Sequence, residues 1–90
     1  MATQLIDNPM IRTCVGVSSL LTRLKKPHIW IDYDQEADVL YLSFRKPQKA
    51  KKTIEFDEDT LIRTDGREIV GITIMNASVR ESLNIMEDIQ

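Results

Sequence analysis

Residues 33–44 read Y-D-Q-E-A-D-V-L-Y-L-S-F, an acidic turn that runs directly into a strand. Successive side chains of a strand point to opposite faces of its sheet. One face of this strand then carries Leu40, Leu42 and Phe44, and the other carries Val39, Tyr41 and Ser43. Both sets are mainly apolar, so the pattern predicts a strand that is covered on both sides and around which the chain is organised.

Four further strands are predicted around this one. Alternating apolar and polar residues favour strands at 29–33, 53–56, 61–64 and 67–74, with Ile54 and Phe56 on an inner face. Asp65-Gly66 is typical of a two-residue hairpin loop, and such a loop would place Ile62 opposite Ile69. The sequence therefore predicts an α+β fold with about five strands in a mainly antiparallel meander.

One helix is predicted before the strands in the sequence and another after them. A helix is favoured over about residues 18–26, with an earlier start left open; Ser18 or Ser19 would cap it and Pro27 would stop it. Ser78 and Glu81 have the spacing of a capping box and predict a C-terminal helix. That helix would pack on the face that carries Leu40, Leu42, Ile72 and Ile74. The chain then divides into an N-terminal extension, 1–27, and a sheet domain with its helix, 28–90.

Composition limits the cellular setting and the class of protein. The chain has 90 residues, a net charge of −2 and one cysteine, Cys14. One thiol forms no intramolecular disulfide and no multi-thiolate metal site, and we expect it to be buried like a small hydrophobic residue. The sequence has no apolar run long enough to span a membrane and no signal-peptide pattern, which favours a cytoplasmic protein without a membrane partner.

The carboxylates of residues 32–38 suggest a metal site, but a structural role explains them better. Asp32, Asp34, Glu36 and Asp38 alternate like the first ligands of a calcium loop. Ala37 stands where that loop requires glycine, and Ser43 stands where it requires glutamate. We therefore interpret Asp34 and Asp38, like Asp65 and Gly66, as turn residues. A metal-dependent hydrolase that uses these carboxylates is the less favoured hypothesis.

No catalytic group is predicted. Cys14 and the single histidine, His28, lie in different segments, and no nucleophile motif surrounds the cysteine. The three glycines are scattered, so no phosphate-binding glycine loop is present. We expect no catalytic residue, no cofactor and no bound metal, and hence a protein that is not an enzyme.

A basic arm connects the second and third predicted strands. It contains Arg45, Lys46, Lys49, Lys51 and Lys52 without an intervening acidic residue. Such an arm suits contacts with nucleic-acid phosphates, but it has no interleaved aromatic residue for base stacking. Solvated lysines that protect a sheet edge from pairing with other chains are the favoured interpretation, and weak nucleic-acid binding is the alternative.

A second apolar sheet face predicts a partner. Val39 and Tyr41, together with Ile62 and Ile69 of the hairpin, would form a face that one packed helix leaves uncovered. This face must then meet the N-terminal segment of the chain or another subunit, and we expect a homodimer or a small partner protein. The leading hypothesis is therefore a self-associating interaction module.

Two segments resemble a known family. The stretch 33–44 and the stretch T-D-G-R-E-I-V-G-I-T-I-M-N-A-S at 64–78 are similar in order and spacing to the family called domain of unknown function 2283. The positions that match are Tyr33, Asp34, Ala37, Asp38, Leu40, Tyr41, Asp65, Gly66, Gly71 and Ile72. The resemblance implies a small β-sheet domain with no established activity, and an antitoxin-like role beside small toxin-like proteins. The chain departs from the family in its N-terminal extension, its basic arm, and Thr73 in place of a glutamate.

Overall fold

The computed structural model describes residues 8–80, which form one helix and five strands. The helix α1 spans Pro9–Thr22. The strands are β1 (Trp30–Asp34), β2 (Val39–Ser43), β3 (Lys52–Asp57), β4 (Thr60–Thr64) and β5 (Ile69–Met75). A single turn of 3-10 helix, Ala77–Val79, follows β5. The predicted α+β class and the predicted number of strands are confirmed. Within residues 8–80, no helix has the length and apolar character needed to cross a membrane.

The sheet is antiparallel, but it is not a simple meander. Its strand order is β1-β2-β5-β4-β3, so β5 lies in the centre and pairs with both β2 and β4. The prediction that each strand pairs with the next is wrong at β2 and β3. Strand β5 is the most apolar of the five, and a central position gives it neighbours on both sides. The connection from β2 to β3 therefore passes the ends of β5 and β4.

The hairpin between β4 and β5 has a longer loop than predicted. Thr64 pairs with Ile69, so four residues form the loop, and a bulge shifts the register beside this pair. Asp65 Oδ1 accepts the backbone N–H groups of Arg67 and Glu68 at 2.8 and 2.9 Å. These bonds hold a wider turn than a two-residue loop allows. Ile62 consequently pairs with Ile72, and the predicted pairing of Ile62 with Ile69 is wrong.

The helix α1 begins and ends earlier than predicted. Asn8 caps it, because its side chain accepts the N–H of Met10 at 2.8 Å, and Pro9 occupies the first helical turn. Asparagine followed by proline is a stronger start signal than Ser18 or Ser19, because proline at the first helical position lacks an N–H that would need a partner. The helix ends at Thr22, and Lys25 has a positive φ of 58°. No residue of α1 is buried, and Cys14 is exposed, so the prediction of a buried cysteine is wrong.

The predicted C-terminal helix is not supported at its start. Ser78 lies in the 3-10 turn, and Arg80 has an extended backbone. The Ser78 N–H and hydroxyl both donate to Asp38, and Glu81, the other residue of the predicted capping box, lies outside the described residues. The rest of the predicted helix, 81–90, lies outside the described residues.

The sheet is a single layer with little buried volume. Among residues 8–80, Val70 is the one buried apolar residue, with 2% of its surface exposed. Ile54 and Phe56 of the edge strand β3 are exposed, which contradicts their predicted inner position. A domain normally consists of at least two packed layers. The described sheet therefore presents apolar surface that its own residues do not cover.

Candidate functional site

One face of the sheet is apolar across all five strands. Residues opposite each other in a sheet share a face, and the register forms an uninterrupted row. The row, from β1 to β3, contains Ile31, Leu42, Ile72, Ile62 and Ile54. Tyr33, Leu40 and Ile74 form a second row on the same side. We call these eight residues the apolar face. Ile31, Tyr33 and Ile54 are each about half exposed.

The opposite face is mixed in character. Its central row contains Asp32, Tyr41, Thr73, Leu61 and Glu55. The predicted partner residues are therefore divided: Val39 and Tyr41 lie on this mixed face, whereas Ile62 lies on the apolar face. Ile69 lies at the bulge, 42% exposed. The sequence alone did not reveal this division, because it depends on the strand order.

Asp38 connects the turn between β1 and β2 to the segment that follows β5. Its carboxylate accepts the Tyr33 hydroxyl at 2.6 Å and the Ser78 hydroxyl at 2.8 Å. The Ser78 N–H donates to Asp38 Oδ1 at 3.0 Å, and the Ala77 N–H donates to the Asp38 carbonyl. Asp34 acts within the turn, where its side chain accepts the N–H of Ala37. Both carboxylates therefore bind protein donors in the described structure.

The turn between β3 and β4 holds the same segment from the other side. Asn76 donates its side-chain N–H to Asp59 at 3.0 Å, and Arg80 forms an ion pair with Asp57 at 3.2 Å. The Met75 N–H also donates to the Asp59 carbonyl at 2.7 Å. Four residues that follow the central strand, Asn76, Ala77, Ser78 and Arg80, thus contact acidic residues of both neighbouring turns. The acidic turns of the sequence have a structural role that extends beyond their own backbone.

These contacts change the acidity of the groups. The Tyr33 hydroxyl, and then Ser78, lower the pKa of Asp38, while the Asp38 carboxylate raises the pKa of Tyr33. Arg80 lowers the pKa of Asp57. The N–H groups of Glu68 and Arg67, followed by Arg45, hold the pKa of Asp65 well below its usual range. The three lowered pKa values favour ionised carboxylates in the folded protein, and the raised pKa of Tyr33 favours its neutral hydroxyl.

These shifts predict loss of stability in acid. A lowered carboxylate pKa contributes stability that is present above the unfolded pKa of about 4 and is lost as pH falls through the folded value. We expect the urea midpoint to be steady above about pH 5 and to fall below about pH 4. Asp38→Asn should weaken this acid dependence. Asp32→Asn is the control, because no hydrogen bond joins the Asp32 side chain to residues 8–80. Equal acid profiles for wild type and Asp38→Asn would contradict the assignment.

A basic cleft lies at the end of the sheet where β2 leads toward β3. Its volume is about 480 Å³, and it lies between the connection after β2 and the loop between β4 and β5. The lining residues are Arg45, Lys46, Pro47, Lys49, Lys51, Asp65 and Arg67. Four of the five predicted nucleic-acid residues therefore meet in one place. The fifth, Lys52, begins β3 and does not line the cleft.

Arg45 has a structural role in this cleft. Its guanidinium donates to the Gln48 carbonyl and to Asp65 Oδ2, each at 2.9 Å. These bonds join the connection after β2 to the β4–β5 loop. Asp65 is thereby neutralised locally, and the remaining lining cations are Lys46, Lys49, Lys51 and Arg67. Arg67 was not among the predicted residues, because only the folded hairpin brings it beside the arm.

Aromatic residues adjoin the cleft. The Lys46 ammonium lies 5.9 Å from the centre of the Trp30 ring, within the range of a cation–π contact. His28 is stacked on Trp30 with ring centres 5.6 Å apart. The sequence placed no aromatic residue within the arm, but the fold supplies one from β1. Trp30 lies 15 positions before Arg45 in the sequence, so only the fold brings it beside the arm.

The predicted candidates for a metal or catalytic site have different surroundings in the described structure. Within residues 8–80, no group of three or more histidine, cysteine, aspartate or glutamate side chains is placed to hold a metal ion. Asp32 and Asp34 lie on the mixed face, whereas Asp38 binds Tyr33 and Ser78. His28 stacks on Trp30, and Cys14 is exposed on α1.

Comparison with known proteins gives one match. A family model described as "Protein of unknown function (DUF2283)" matches residues 30–78, from the start of β1 to the contact between Ser78 and Asp38. Neither the curated proteins nor the solved structures gave a match. The matched region comprises the whole sheet and excludes α1.

Proposed function

The chain belongs to the DUF2283 family, and on that premise we propose that it is a non-enzymatic interaction module that self-associates through its apolar face. The observation that carries this proposal is the uninterrupted aliphatic row from Ile31 to Ile54. A row of this kind on one side of a single-layer sheet is surface that a second layer normally covers.

A second copy of this chain is the occupant that fits best. A small domain buries a small share of its surface and therefore has a low free energy of unfolding. The described residues bury a single apolar side chain, Val70. The central row of the apolar face contains no charged residue, so two copies can meet without an unpaired buried charge. Two such faces would pack about 10 Å apart with their strands inclined by about 30°. A twofold axis makes this contact self-complementary.

Charge insertion on the apolar face tests the proposal. We expect the wild-type chain to sediment as a dimer in the micromolar range. Ile54→Lys places an ammonium on a half-exposed position of the edge strand, where the folded monomer tolerates it but the interface does not. The dissociation constant should rise by roughly 100-fold, or about 2.7 kcal/mol.

Tyr41→Lys is the matched control on the mixed face. Tyr41 is 42% exposed, close to the 49% of Ile54, so the two substitutions differ mainly in the face that they change. The control should keep the wild-type dissociation constant. A strictly monomeric wild type would refute self-association, and so would coverage of the face by residues 81–90 of the same chain. A complex with a different small protein, as an antitoxin-like role requires, would also refute it.

A further inference from the structure

We propose that the basic cleft and Trp30 together bind single-stranded nucleic acid, with phosphates in the cleft and a base on the aromatic pair. This site is separate from the apolar face and goes beyond the proposed self-association. The proposal rests on a juxtaposition: four cations from two loops line one cleft, and one of them, Lys46, contacts Trp30 at the start of β1, on which His28 stacks.

The charges of the cleft suit a polyanion, although the whole chain is acidic. Asp65 is the one carboxylate among the lining residues, and Arg45 already pairs with it at 2.9 Å. Toward residues 8–80, the ammonium or guanidinium groups of Lys49, Lys51 and Arg67 form no ion pair. A volume of about 480 Å³ is within the range of ligand-sized clefts. Such a group of cations can neutralise successive phosphates.

The aromatic pair favours a single strand over a duplex. Lys46 both lines the cleft and contacts the Trp30 ring, so the cationic and aromatic parts are continuous. His28, stacked on Trp30, is exposed. Unpaired bases stack on such rings whatever their sequence, whereas the bases of a duplex are occupied by their own stack. The site therefore combines the two elements that single-strand binding requires.

Trp30 is the only tryptophan of the chain, which makes it a direct reporter. We expect its fluorescence to be quenched when the full chain is titrated with an oligothymidylate of about 12 nucleotides. The logarithm of affinity should fall with the logarithm of salt concentration with a slope of about −3, as four phosphate contacts on a single strand predict. The matching duplex should bind more weakly.

Neighbouring lysines give a matched pair of variants. Lys51→Glu changes the cleft, whereas Lys52→Glu makes the same change of charge at the adjacent position, which does not line it. We expect roughly tenfold weaker binding and a slope shallower by about 1 for Lys51→Glu, and an effect within about twofold for Lys52→Glu. Trp30→Ala should weaken binding of a labelled oligonucleotide roughly tenfold, and Trp30→Phe should restore it.

Several results would overturn the assignment. Binding that leaves Trp30 fluorescence unchanged, or that is equally strong for the duplex, would exclude stacking on a single strand. Displacement of the oligonucleotide by inorganic phosphate at low millimolar concentration would indicate a site for small anions. An equal loss of affinity in Lys51→Glu and Lys52→Glu would show that binding depends on overall charge and not on the cleft. Circular dichroism of each variant verifies that the fold is intact.

Discussion

Val70→Asp should leave the protein largely unfolded. Val70 has 2% of its surface exposed, and its carbonyl accepts the N–H of Phe44 at 2.9 Å where β5 approaches the end of β2. A carboxylate at this buried position loses most of its hydration, and this desolvation costs several kcal/mol of unfolding free energy. Because a domain of this size is stable by only about 5–10 kcal/mol, that loss removes most of its stability.

The adjacent residue provides the control for this prediction. Ile69 is 42% exposed, so Ile69→Asp should cost less than about 1 kcal/mol. Val70→Ala should lie between them, at about 2 kcal/mol for two buried methyl groups and the space that they leave. Urea unfolding followed by circular dichroism measures all three. An equal urea midpoint for Val70→Asp and Ile69→Asp would show that the buried position is wrongly assigned.

Gly71→Val should cost about 2–3 kcal/mol. A Cβ on Gly71 would lie 2.9 Å from Gln48 Cδ and 3.1 Å from the Leu42 carbonyl oxygen, and it would overlap the Gln48 amide nitrogen. Gln48 is held there by a hydrogen bond of 2.6 Å to the Ser43 hydroxyl. The added side chain must displace Gln48 and widen the contact between β5 and β2.

A second glycine and a double variant make this prediction specific. Gly16 lies in α1 with no atom within 4 Å of an added Cβ, so Gly16→Val should change stability by less than about 0.5 kcal/mol. In a Gln48→Ala background, Gly71→Val should lower the free energy of unfolding by about 1 kcal/mol less than in the wild type. The Gln48 amide that overlaps the added Cβ is absent in that background. Additive losses, measured by urea unfolding, would show that Gln48 is not the obstacle.

Much of the sheet was predictable because its signals are local. Apolar and polar residues alternate around Ile31 and Tyr33 and in the strand after Asp38. This pattern predicted β1, β2 and the acidic turn between them. The length of the hairpin loop also has a local cause. Asp65-Gly66 suits a two-residue loop, but Thr64 accepts the Gly66 N–H, donates to the Glu68 carbonyl, and so favours a wider turn.

The sites were less predictable, because they depend on which strands become neighbours. The row that joins Ile31 to Ile54 exists only once β5 lies between β2 and β4, and the sequence does not specify that order. Arg67 and Trp30 likewise lie beside the basic arm only in the folded chain. Asp38 illustrates a third case. The sequence indicated a turn residue, whereas its contact with Ser78 spans 40 positions.

The central position of β5 has a consequence for the order of folding. The pairs β1–β2 and β3–β4 are joined by short turns and can form quickly, whereas Ser43 meets Gly71 only by closing a long loop. During synthesis, both local pairs leave the ribosome before the strand that joins them. The inner edges of β2 and β4 are then open to other chains until residues 69–75 arrive. Aggregation during expression should therefore depend more on β5 than on any other strand.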